Sequence, residues 1–521
     1  MPDNEKLDCL LVHTPKPRHP LHPLGETRFI NFLPIGLVSI ANFVREKGFS
    51  TRILHLGLYD ENGVEPNFRR ALERFRPAVI GFSLHWHHQS DVVIQNAALA
   101  RKALPHSTIV LGGYTASFFA QEILSSYPFI DAVVKGEGEL PLVEILKSVA
   151  ANGKLNGTIP NLVYREEGKV ISSQNRWVAD DAELSAFRFS DLSPLLSAEH
   201  YNRQHMYIPN DKSLRKIILE RETVKLHILS IGRGCAQNCI FCGGGCKATG
   251  LVSGRHTVSL RDPIAVADEI VESQKFGFTG LFSDFDIPQN AEYIIRLIET
   301  IGGRAGKIHW RMNLWNVPQT ELVKAFAKIT SPGSALYISP QSGSEAIREK
   351  IGGVFYTNSE LERFALSAKR LKIPLFLFFS YGLPGEDEKS YAETLKLARR
   401  LHKIHSGIRC FGYPIELDPA SPLFVAPERF GIKAEWRTFE DYRRYHATGE
   451  FHLGYALESI KEDEIFERRC REMCIIDNRW GPYACAALRR LQKTPGGTAA
   501  LETLLRLLKP WQSRWLKTGH S

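Results

Sequence analysis

The first 150 residues alternate short apolar runs with segments whose apolar residues recur at helical spacing. Such alternation is typical of parallel strands joined by covering helices. We therefore predict an α/β domain at residues 1–150, built as a doubly wound, Rossmann-like sheet. The strands are predicted at 8–13, 51–56, 78–83, 108–111 and 132–135, and the helices at 35–47, 67–75, 91–104 and 119–124.

The same alternation of strands and helices resumes at Lys225. Between the two stretches, residues 151–224 show only short strand and turn signals, and we interpret them as a linker with a short hairpin. After residue 420 the chain becomes mainly helical, which indicates a C-terminal domain at 421–521. Within 225–420, strands are predicted at 227–231, 280–285, 308–314, 335–339, 375–379 and 408–414.

The length and composition fit a multidomain enzyme of ordinary globular type. A chain of 521 residues exceeds what a single core organises, and 43% hydrophobic with 24% charged residues is average. The sequence has no uncharged apolar window of about 18 residues and does not begin with a signal-peptide pattern. We therefore expect a cytoplasmic protein with no transmembrane segment.

The net charge of +9 is concentrated at the end of the chain. From Arg489 onwards there are seven Lys or Arg residues against one acidic residue, so the rest of the chain is nearly balanced. A balanced body argues against a nucleic-acid channel. We expect a small-molecule or peptide substrate and no nucleic-acid partner.

Cys235, Cys239 and Cys242 follow the predicted strand at 227–231 on one short loop. Three thiolates at this spacing can hold three corners of a 4Fe-4S cluster and leave one iron open, so we predict that these cysteines are the cluster ligands. A zinc site with Cys246 as the fourth ligand is the alternative, although structural zinc usually uses two separated ligand pairs. Nine cysteines, most of them scattered, do not indicate a disulfide framework, and a reducing compartment is implied.

The cysteine spacing, Phe241 just before the third cysteine and the preceding strand resemble the cluster loop of radical S-adenosylmethionine (SAM) enzymes. The resemblance implies that the open iron chelates the amino and carboxylate groups of SAM, and that reductive cleavage yields a 5'-deoxyadenosyl radical. It also implies an electron donor such as flavodoxin or ferredoxin. The fold implied for residues 225–420 is a partial (β/α)6, TIM-like barrel.

In a barrel of parallel strands the reactive site lies at the carboxyl ends and on inward-facing residues. Three segments behind the cysteine loop, 282–286, 339–344 and 381–386, resemble the SAM-contact segments of the family. Gln341 stands where many relatives have glutamate, and it keeps a carbonyl acceptor for a ribose hydroxyl but loses the charge. The side chains expected to line the site are Ser283, Asp284, Arg311, Asn313, Ser339, Gln341, Ser380 and Tyr413, of which Ser283, Asp284, Gln341 and Ser380 are expected at SAM.

Small residues end three strands of the N-terminal domain, where they would let a large flat ligand approach the backbone. Segments 34–48, 79–83, 110–113 and 134–139 resemble the cobalamin-binding domain that precedes many radical SAM domains. The resemblance implies that cobalamin contacts Ser83, Gly112, Gly113, Tyr114, Glu137 and Gly138.

The motif Asp-x-His-x-x-Gly, which supplies a histidine to cobalt in many cobalamin proteins, is absent. The first loop contains His19 and His22 without the matching aspartate. The resemblance therefore implies cobalamin without a lower histidine ligand. His85, His87 and His88 lie at the right end of the sheet to approach cobalt, although histidines at a strand end are more often loop residues.

The combined resemblance implies a cobalamin-dependent radical SAM methyltransferase that methylates an unactivated carbon, or less often a phosphinate phosphorus. Two SAM molecules would be used, one as the methyl source for cobalamin and one as the radical source. A radical SAM cyclase or oxidoreductase of the same architecture, or a non-catalytic cobalamin- or cluster-binding protein, stays open. Methylthiotransferases need three further N-terminal cluster cysteines, and the N-terminal domain has only Cys9.

The C-terminal hundred residues carry weaker signals. Cys470 and Cys474 fall on one helix face, and with Cys485 they could hold an auxiliary cluster, although packed thiols are the commoner explanation. The apolar residues of 501–516 fit either a helix docked on the barrel or an interfacial helix on anionic lipid.

Overall fold

The computed structural model describes residues 6–14, 33–59, 61–198, 225–287, 290–448 and 452–465. The predictions for His19 and His22, for Cys470, Cys474 and Cys485, and for the segment 501–516 fall outside these residues. No helix within the described part of the chain is long and apolar enough to cross a membrane.

The N-terminal sheet has seven strands in the order β2-β1-β3-β4-β5-β6-β7. The first five are parallel and correspond to the strands predicted from the apolar runs. Their central residues are buried on both faces, which is why they appear in the sequence as continuous apolar runs. The strands are β1 (Cys9–His13), β2 (Thr51–His55), β3 (Val79–Ser83), β4 (Thr108–Gly112), β5 (Ala132–Val134), β6 (Leu162–Glu166) and β7 (Lys169–Ser172).

The last two strands are the hairpin predicted for the linker, and they extend the sheet past residue 150. β6 pairs antiparallel with β5, with Ala132 opposite Tyr164. Glu167 and Gly168 form the turn, and both have positive φ, which gives the twist that a tight hairpin needs. The sheet therefore has seven strands and not the five that were predicted. The local sequence predicts the hairpin, but it does not show that the hairpin pairs with β5.

Helices cover both faces of this sheet, and their apolar residues form its two cores. They are α1 (Ile35–Glu46), α2 (Glu61–Phe75), α3 (Ser90–Ala103), α4 (Tyr114–Phe118), α5 (Ala120–Ser126) and α6 (Glu139–Asn152), followed by α7 (Asp181–Ala186), with single turns at Leu56–Leu58 and His87–Gln89.

The second sheet has six parallel strands in sequence order, with β8 and β15 at its edges. These strands alternate between residues packed against the outer helices and residues on the inner face, as the partial barrel requires. The strands are β8 (Leu226–Ile228), β11 (Gly280–Ser283), β12 (His309–Leu314), β13 (Ala335–Gln341), β14 (Leu375–Tyr381) and β15 (Ile408–Pro414), and a short pair, β9 (Gly232–Arg233) and β10 (Ser259–Leu260), flanks them.

Helices between the barrel strands bury their apolar faces against the outside of the sheet. They are α9 (Pro263–Lys275), α10 (Ala291–Ala305), α11 (Thr320–Ile329), α12 (Glu345–Lys350), α13 (Asn358–Arg370) and α14 (Glu388–Ile404). A further helix, α8 (Cys246–Ser253), packs in a separate small apolar cluster.

The described part of the C-terminal region is a mixed structure in which a small antiparallel sheet joins β16 to β17. It contains α15 (Pro422–Val425), a single turn at Pro427–Phe430, β16 (Ile432–Ala434), α16 (Phe439–Thr448), β17 (Tyr455–Leu457) and α17 (Glu462–Glu464).

Candidate functional site

The cysteine loop lies between β9 and α8 and holds its sulfur atoms close to backbone amides. The N–H of Gln237 donates to Sγ of Cys235 and the N–H of Gly244 donates to Sγ of Cys242, each at 3.3 Å. Hydrogen bonds of this kind stabilise sulfur that carries negative charge and tune the potential of iron–sulfur clusters. The loop is therefore built to hold ionised sulfur.

A glycine keeps space open beside Cys239. A Cβ added at Gly353 would lie 2.7 Å from the sulfur of Cys239, and Gly353 has a φ of +90° that favours glycine. The neighbouring backbone is tied to the loop, since the N–H of Ile240 donates to the carbonyl of Ile351 at 2.9 Å. The segment before α13 thus forms part of the cysteine pocket.

The sulfurs of the cysteine loop are not gathered as closely as a single zinc ion would require. Within the described residues, one group of three His, Cys, Asp or Glu has ligand atoms that all lie within 4.8 Å of one another, and it contains no cysteine. Tetrahedral zinc with sulfur at about 2.3 Å would bring its thiolates to about 3.8 Å apart. In a cubane each cysteine binds a different iron, so a wider spacing is expected. The sulfur of Cys246, the alternative fourth ligand, contacts the carbonyl oxygen of His256 at 3.9 Å.

Burial keeps the cysteine thiols protonated when no metal is bound. It raises the pKa of Cys239 to about 11 and the pKa of Cys242 to about 12. A thiolate that coordinates a metal is deprotonated by the metal itself, so cluster binding at this loop releases protons.

Asp418, which follows β15, anchors the cysteine loop and was not predicted from the sequence. Its Oδ2 accepts from the N–H of Gly243 at 2.8 Å, and a Cβ at Gly243 would lie 2.3 Å from the carbonyl oxygen of Pro419. Burial raises the pKa of Asp418 to about 7. The available signal was its position just beyond a barrel strand, where functional side chains gather.

Asp284 and Asn313 meet inside the barrel, at the carboxyl ends of β11 and β12. The Asn313 amide donates to Oδ1 of Asp284. Asp284 is solvent-accessible yet enclosed by the barrel wall, and this enclosure raises the pKa of its carboxyl although the Asn313 hydrogen bond opposes the shift. The pair presents a carboxylate and an amide to the interior of the barrel, and the contact of Asp284 with SAM stays a prediction.

Gln341 and Ser380 form the second predicted pair on the inner face. The hydroxyl of Ser380 donates to Oε1 of Gln341. The register between β13 and β14 shifts at Gln341, and its φ is +65°, a conformation that residues other than glycine rarely adopt. Backbone strain at a strand end is often found at functional sites.

Ser283 is the one predicted SAM residue whose side chain faces the wrong way. It is fully buried, and its Oγ accepts from Nε1 of Trp310 at 2.9 Å. Trp310 in turn packs against Phe326 of α11 on the outside of the barrel. The prediction of a SAM contact for this side chain is therefore wrong, because successive strand residues point to opposite faces and Asp284 takes the inward position.

Stacked aromatic rings cover the inner face of β13, β14 and β15. The rings of Tyr337 and Phe376 lie 4.6 Å apart with an angle of 7° between their planes, and the rings of Phe378 and Phe411 lie 5.3 Å apart. Tyr413 continues the row. The sequence analysis missed this aromatic wall because aromatic residues in a strand usually belong to the core. In the structure, partly accessible residues alternate with buried ones along β14, and the accessible residues lie on the inner face. The other predicted lining residues on that face are Arg311 and Ser339.

The strand ends of the N-terminal domain bring a backbone glycine against the loop after β3. Gly113 has a φ of +102°, and a Cβ there would lie 2.8 Å from the backbone of His85. At Gly112 an added Cβ would meet nothing within 4 Å, so this position borders open space. Gly112 lies opposite Ser83 in the sheet, so both open at the same edge. A flat ligand could approach the backbone here, as the resemblance implies for cobalamin.

The three histidines predicted near cobalt separate into two groups. His85 stays at the strand ends, with its ring 5.5 Å from the ring of Tyr114. His85 is solvent-accessible yet surrounded by protein at the strand ends, and these surroundings together with the nearby His13 lower the pKa of its imidazole to about 4, so the ring is neutral at neutral pH. His87 and His88 instead turn towards Glu416, beyond β15 of the barrel.

Glu137 and Glu139 join the N-terminal domain to the cysteine loop. Arg233, two residues before Cys235, pairs with Glu137 at 2.7 Å and with Glu139 at 2.5 Å. Arg255 pairs with the other oxygen of Glu137 at 2.6 Å. Both carboxylate oxygens of Glu137 are therefore engaged by arginines, and the expected contact of this side chain with cobalamin is not what the structure shows.

Gly138 and Tyr114 lie beside this junction. Gly138 precedes α6, where a Cβ would lie 3.0 Å from Cδ1 of Ile40. Tyr114 packs against Ala248 and Val252 of α8. Burial is the main cause that raises the pKa of the Tyr114 hydroxyl well above its ordinary value, and the neighbouring Cys242 raises it further. The strand ends of the N-terminal domain therefore face the cysteine loop.

Two family models match the chain. The model described as the B12 binding domain matches residues 22–146, and the model of the Radical SAM superfamily matches residues 229–398. An uncharacterised methyltransferase of Pyrococcus horikoshii is 23% identical over 373 residues, which make up 71% of this chain and 73% of that protein. The hopanoid C-3 methylase of Methylococcus capsulatus is 32% identical over 147 residues, which make up 28% of this chain and 27% of that protein.

Among solved structures, the radical S-adenosylmethionine methyltransferase TsrM from Kitasatospora setae has the same overall fold. The TM-score is 0.66 at 15% sequence identity, and the match covers 91% of this chain and 90% of that chain. The predicted fold class is confirmed. The predicted cofactors, a 4Fe-4S cluster, SAM and cobalamin, are also confirmed, since they are the cofactors of the two domains that the chain contains. The chain therefore joins a B12-binding domain to a Radical SAM superfamily domain, as the resemblance implied, and it is similar to methyltransferases that have this architecture.

Proposed function

We propose that this cobalamin-dependent radical SAM enzyme transfers a methyl group from SAM to an unactivated carbon of a small-molecule or peptide-derived metabolite. Each methylation uses two SAM molecules. The observation that carries the proposal is that the strand ends of the B12-binding domain face the cluster loop, through Tyr114 packed on α8 and through the ion pair of Arg233 with Glu137. Because the cobalamin site and the cluster site face the same space, both cofactors can act on one substrate.

The chemistry explains why both sites are needed. An unactivated C–H carbon is no nucleophile, so it cannot attack the methyl group of SAM directly. When bound, the cluster supplies the electron that cleaves SAM and cobalamin carries the methyl group. The protein's part is to hold and orient the reactants, because positioning at van der Waals distance accounts for much of the rate enhancement in such reactions.

Different residues hold the cluster, the amino group of SAM and the ribose of SAM. Cys235, Cys239 and Cys242 hold the cluster on a loop whose amides donate to the sulfurs. We assign the carboxylate of Asp284 to the SAM amino group, with Asn313 fixing its orientation. We assign Oε1 of Gln341 to a ribose hydroxyl, with the donor of Ser380 fixing the amide.

The aromatic wall supports a substrate with an apolar part. Tyr337, Phe376 and Phe411 lie on adjacent strands as a row of nearly parallel rings, and such a row offers an apolar surface against which an apolar group can be buried. A hydrocarbon or heteroaromatic surface fits this wall better than an anionic phosphinate does. We therefore favour carbon over phosphorus as the methyl acceptor.

The test is the fate of the methyl group of SAM that carries deuterium in its methyl hydrogens. The anaerobically reconstituted enzyme, with cobalamin and a reductant, is given apolar candidate substrates and the products are analysed by mass spectrometry. We expect the CD3 group in the product. A modified product that lacks the label would indicate a cyclase or oxidoreductase, and an enzyme that never cleaves SAM would indicate a non-catalytic binding protein.

The N-terminal cysteine content supports the choice against a methylthiotransferase. Cys9 is the only cysteine that precedes Cys235, and it is fully buried in β1. Burial also raises the pKa of the Cys9 thiol far above its ordinary value. This thiol is a packed core residue and not a ligand of a further cluster.

A further inference from the structure

We propose that His87, His88 and Glu416 bind a divalent transition-metal ion of the zinc class at the junction of the B12-binding domain and the barrel. Their ligand atoms all lie within 4.8 Å of one another. Nε2 of His88 lies 2.5 Å from Oε2 of Glu416, and Nε2 of His87 lies 3.5 Å from the same oxygen. Both Nε2 atoms thus lie beside the same carboxylate oxygen, and the three ligand atoms are close enough to share one ion.

The other nitrogen of His87 is held by a fourth residue. Nδ1 of His87 and Nε2 of His446, on α16, lie 2.9 Å apart. For His87 to bind a metal through Nε2, its proton must sit on Nδ1, and His446 is placed to accept it. Histidines that bind metals usually donate their second ring N–H to a neighbour in this way, which fixes tautomer and ring orientation.

The donor set and its exposure select the class of ion. Two imidazoles and one carboxylate are the ligands of many zinc sites, and of iron(II) sites that keep open positions. The side chain of His87 is only 5% exposed, whereas those of His88 and Glu416 are 18% and 17% exposed. The group is therefore enclosed on the His87 side and open on the other, where water can complete the coordination.

The position of the group indicates its role. His87 and His88 follow β3 of the N-terminal sheet, and Glu416 follows β15 of the barrel. An ion shared by these ligands would hold the two domains together at a second point, in addition to the pairing of Arg233 with Glu139. Glu416 lies two residues before Asp418, which anchors the cysteine loop. The ion would be bound whether or not the enzyme transfers methyl groups.

The test is the zinc content of the reconstituted holoenzyme. The protein is treated with a chelator, equilibrated with zinc chloride at micromolar concentration and desalted, and zinc, iron and cobalt are measured together by mass spectrometry. We expect one zinc per chain in the wild type and in His106→Ala, which changes an exposed histidine elsewhere. We expect His88→Ala and Glu416→Gln to bind zinc at least about tenfold more weakly, and His446→Ala to fall between them and the wild type, since partners of metal ligands typically contribute about 10- to 100-fold in affinity.

Two results would overturn the proposal. Zinc binding that is equal in wild type, His88→Ala and Glu416→Gln would show that the histidines and glutamate form only a hydrogen-bonded group. Zinc that is lost in Cys239→Ala but kept in His88→Ala would place the ion at the cysteine loop. Glu416→Gln keeps the size of the side chain, and its iron and cobalt contents report whether the fold is intact.

Discussion

Arg233 of the cysteine loop and Glu137 of the N-terminal domain are joined by an ion pair of 2.7 Å, and the same guanidinium binds the buried Glu139 at 2.5 Å. This arginine lies two residues before the first cluster cysteine. The pairing therefore fixes where the cluster loop stands relative to the strand ends at which we place cobalamin. Several consequences can be measured without knowing the substrate.

Arg233→Met should strongly destabilise the domain junction. It leaves Glu139 buried without its charge partner, and removing one member of a buried pair costs about 3–5 kcal/mol. The matched control is Arg188→Met, which removes an arginine from a more exposed pair with Glu272 worth about 0–1 kcal/mol. Thermal melting should show a much larger decrease for Arg233→Met than for the control, and equal decreases would contradict the proposed role.

The pH dependence of stability should carry a signature of Glu139. Burial alone would raise the pKa of this carboxyl, but the Arg233 charge and the hydrogen bonds from Arg233 and Ser39 lower it below its ordinary value. Because the pKa is lower in the folded state than in the unfolded state, the stabilisation is fully present above about pH 4.5 and is lost as the pH falls through the folded value.

The measurement is the melting temperature of the cofactor-free wild type and of Glu139→Gln between neutral and acidic pH. The difference between them should be constant down to about pH 5 and should shrink below about pH 4.5. A difference that grows on acidification would have the wrong sign.

Gln341→Ala should weaken SAM binding by about fivefold, because it removes a hydrogen-bond acceptor worth about 1 kcal/mol. Gln341→Gly should weaken it equally, yet the glycine variant should be the more stable of the two, since the φ of +65° strains alanine and not glycine. Equilibrium binding of SAM and thermal melting separate the two effects. SAM affinity that is unchanged in both variants would remove Gln341 from the SAM site.

Gly112→Ala should fold normally and bind cobalamin about tenfold more weakly. An added Cβ meets no protein atom within 4 Å, so any loss reflects the cofactor that occupies this space. Gly113→Ala should instead destabilise the domain itself, because its Cβ would lie 2.8 Å from the His85 backbone. Cobalamin titration followed by its absorption spectrum gives the affinities.

The control for these variants is Gly303→Ala on α10, which is also open at its Cβ but lies in the barrel. It should not lower the stability of the fold, since alanine is favoured over glycine within a helix, and it should leave the affinity for cobalamin unchanged. If Gly112→Ala binds cobalamin as tightly as Gly303→Ala does, the cofactor does not lie at the end of β4.

The sequence predicted those features that depend on local pattern. The apolar runs at 78–83 and 108–111 correctly predicted β3 and β4. Parallel strands that are buried on both faces appear in a sequence as continuous apolar runs. The spacing of Cys235, Cys239 and Cys242 likewise indicated the cluster loop, since the three ligands lie on one short loop. These predictions needed no information about distant contacts.

The features that were missed depend on contacts between distant parts of the chain. Glu137 meets an arginine 96 residues away, and Asp418 meets Gly243 across 175 residues. Ser283 was misassigned because a shift of one residue along a strand moves a side chain to the other face. Only the three-dimensional register decides which of Ser283 and Asp284 faces the interior.

The central claim is tested most directly by the products formed from SAM. The reconstituted enzyme with cluster, cobalamin, reductant and SAM should form both S-adenosylhomocysteine and 5'-deoxyadenosine, the first only when cobalamin is present and the second only when the cluster is intact. Cys239→Ala should abolish 5'-deoxyadenosine, while Cys246→Ala, whose sulfur contacts the His256 carbonyl, should keep it. Formation of neither product by the wild type, or undiminished 5'-deoxyadenosine in Cys239→Ala, would contradict the assignment.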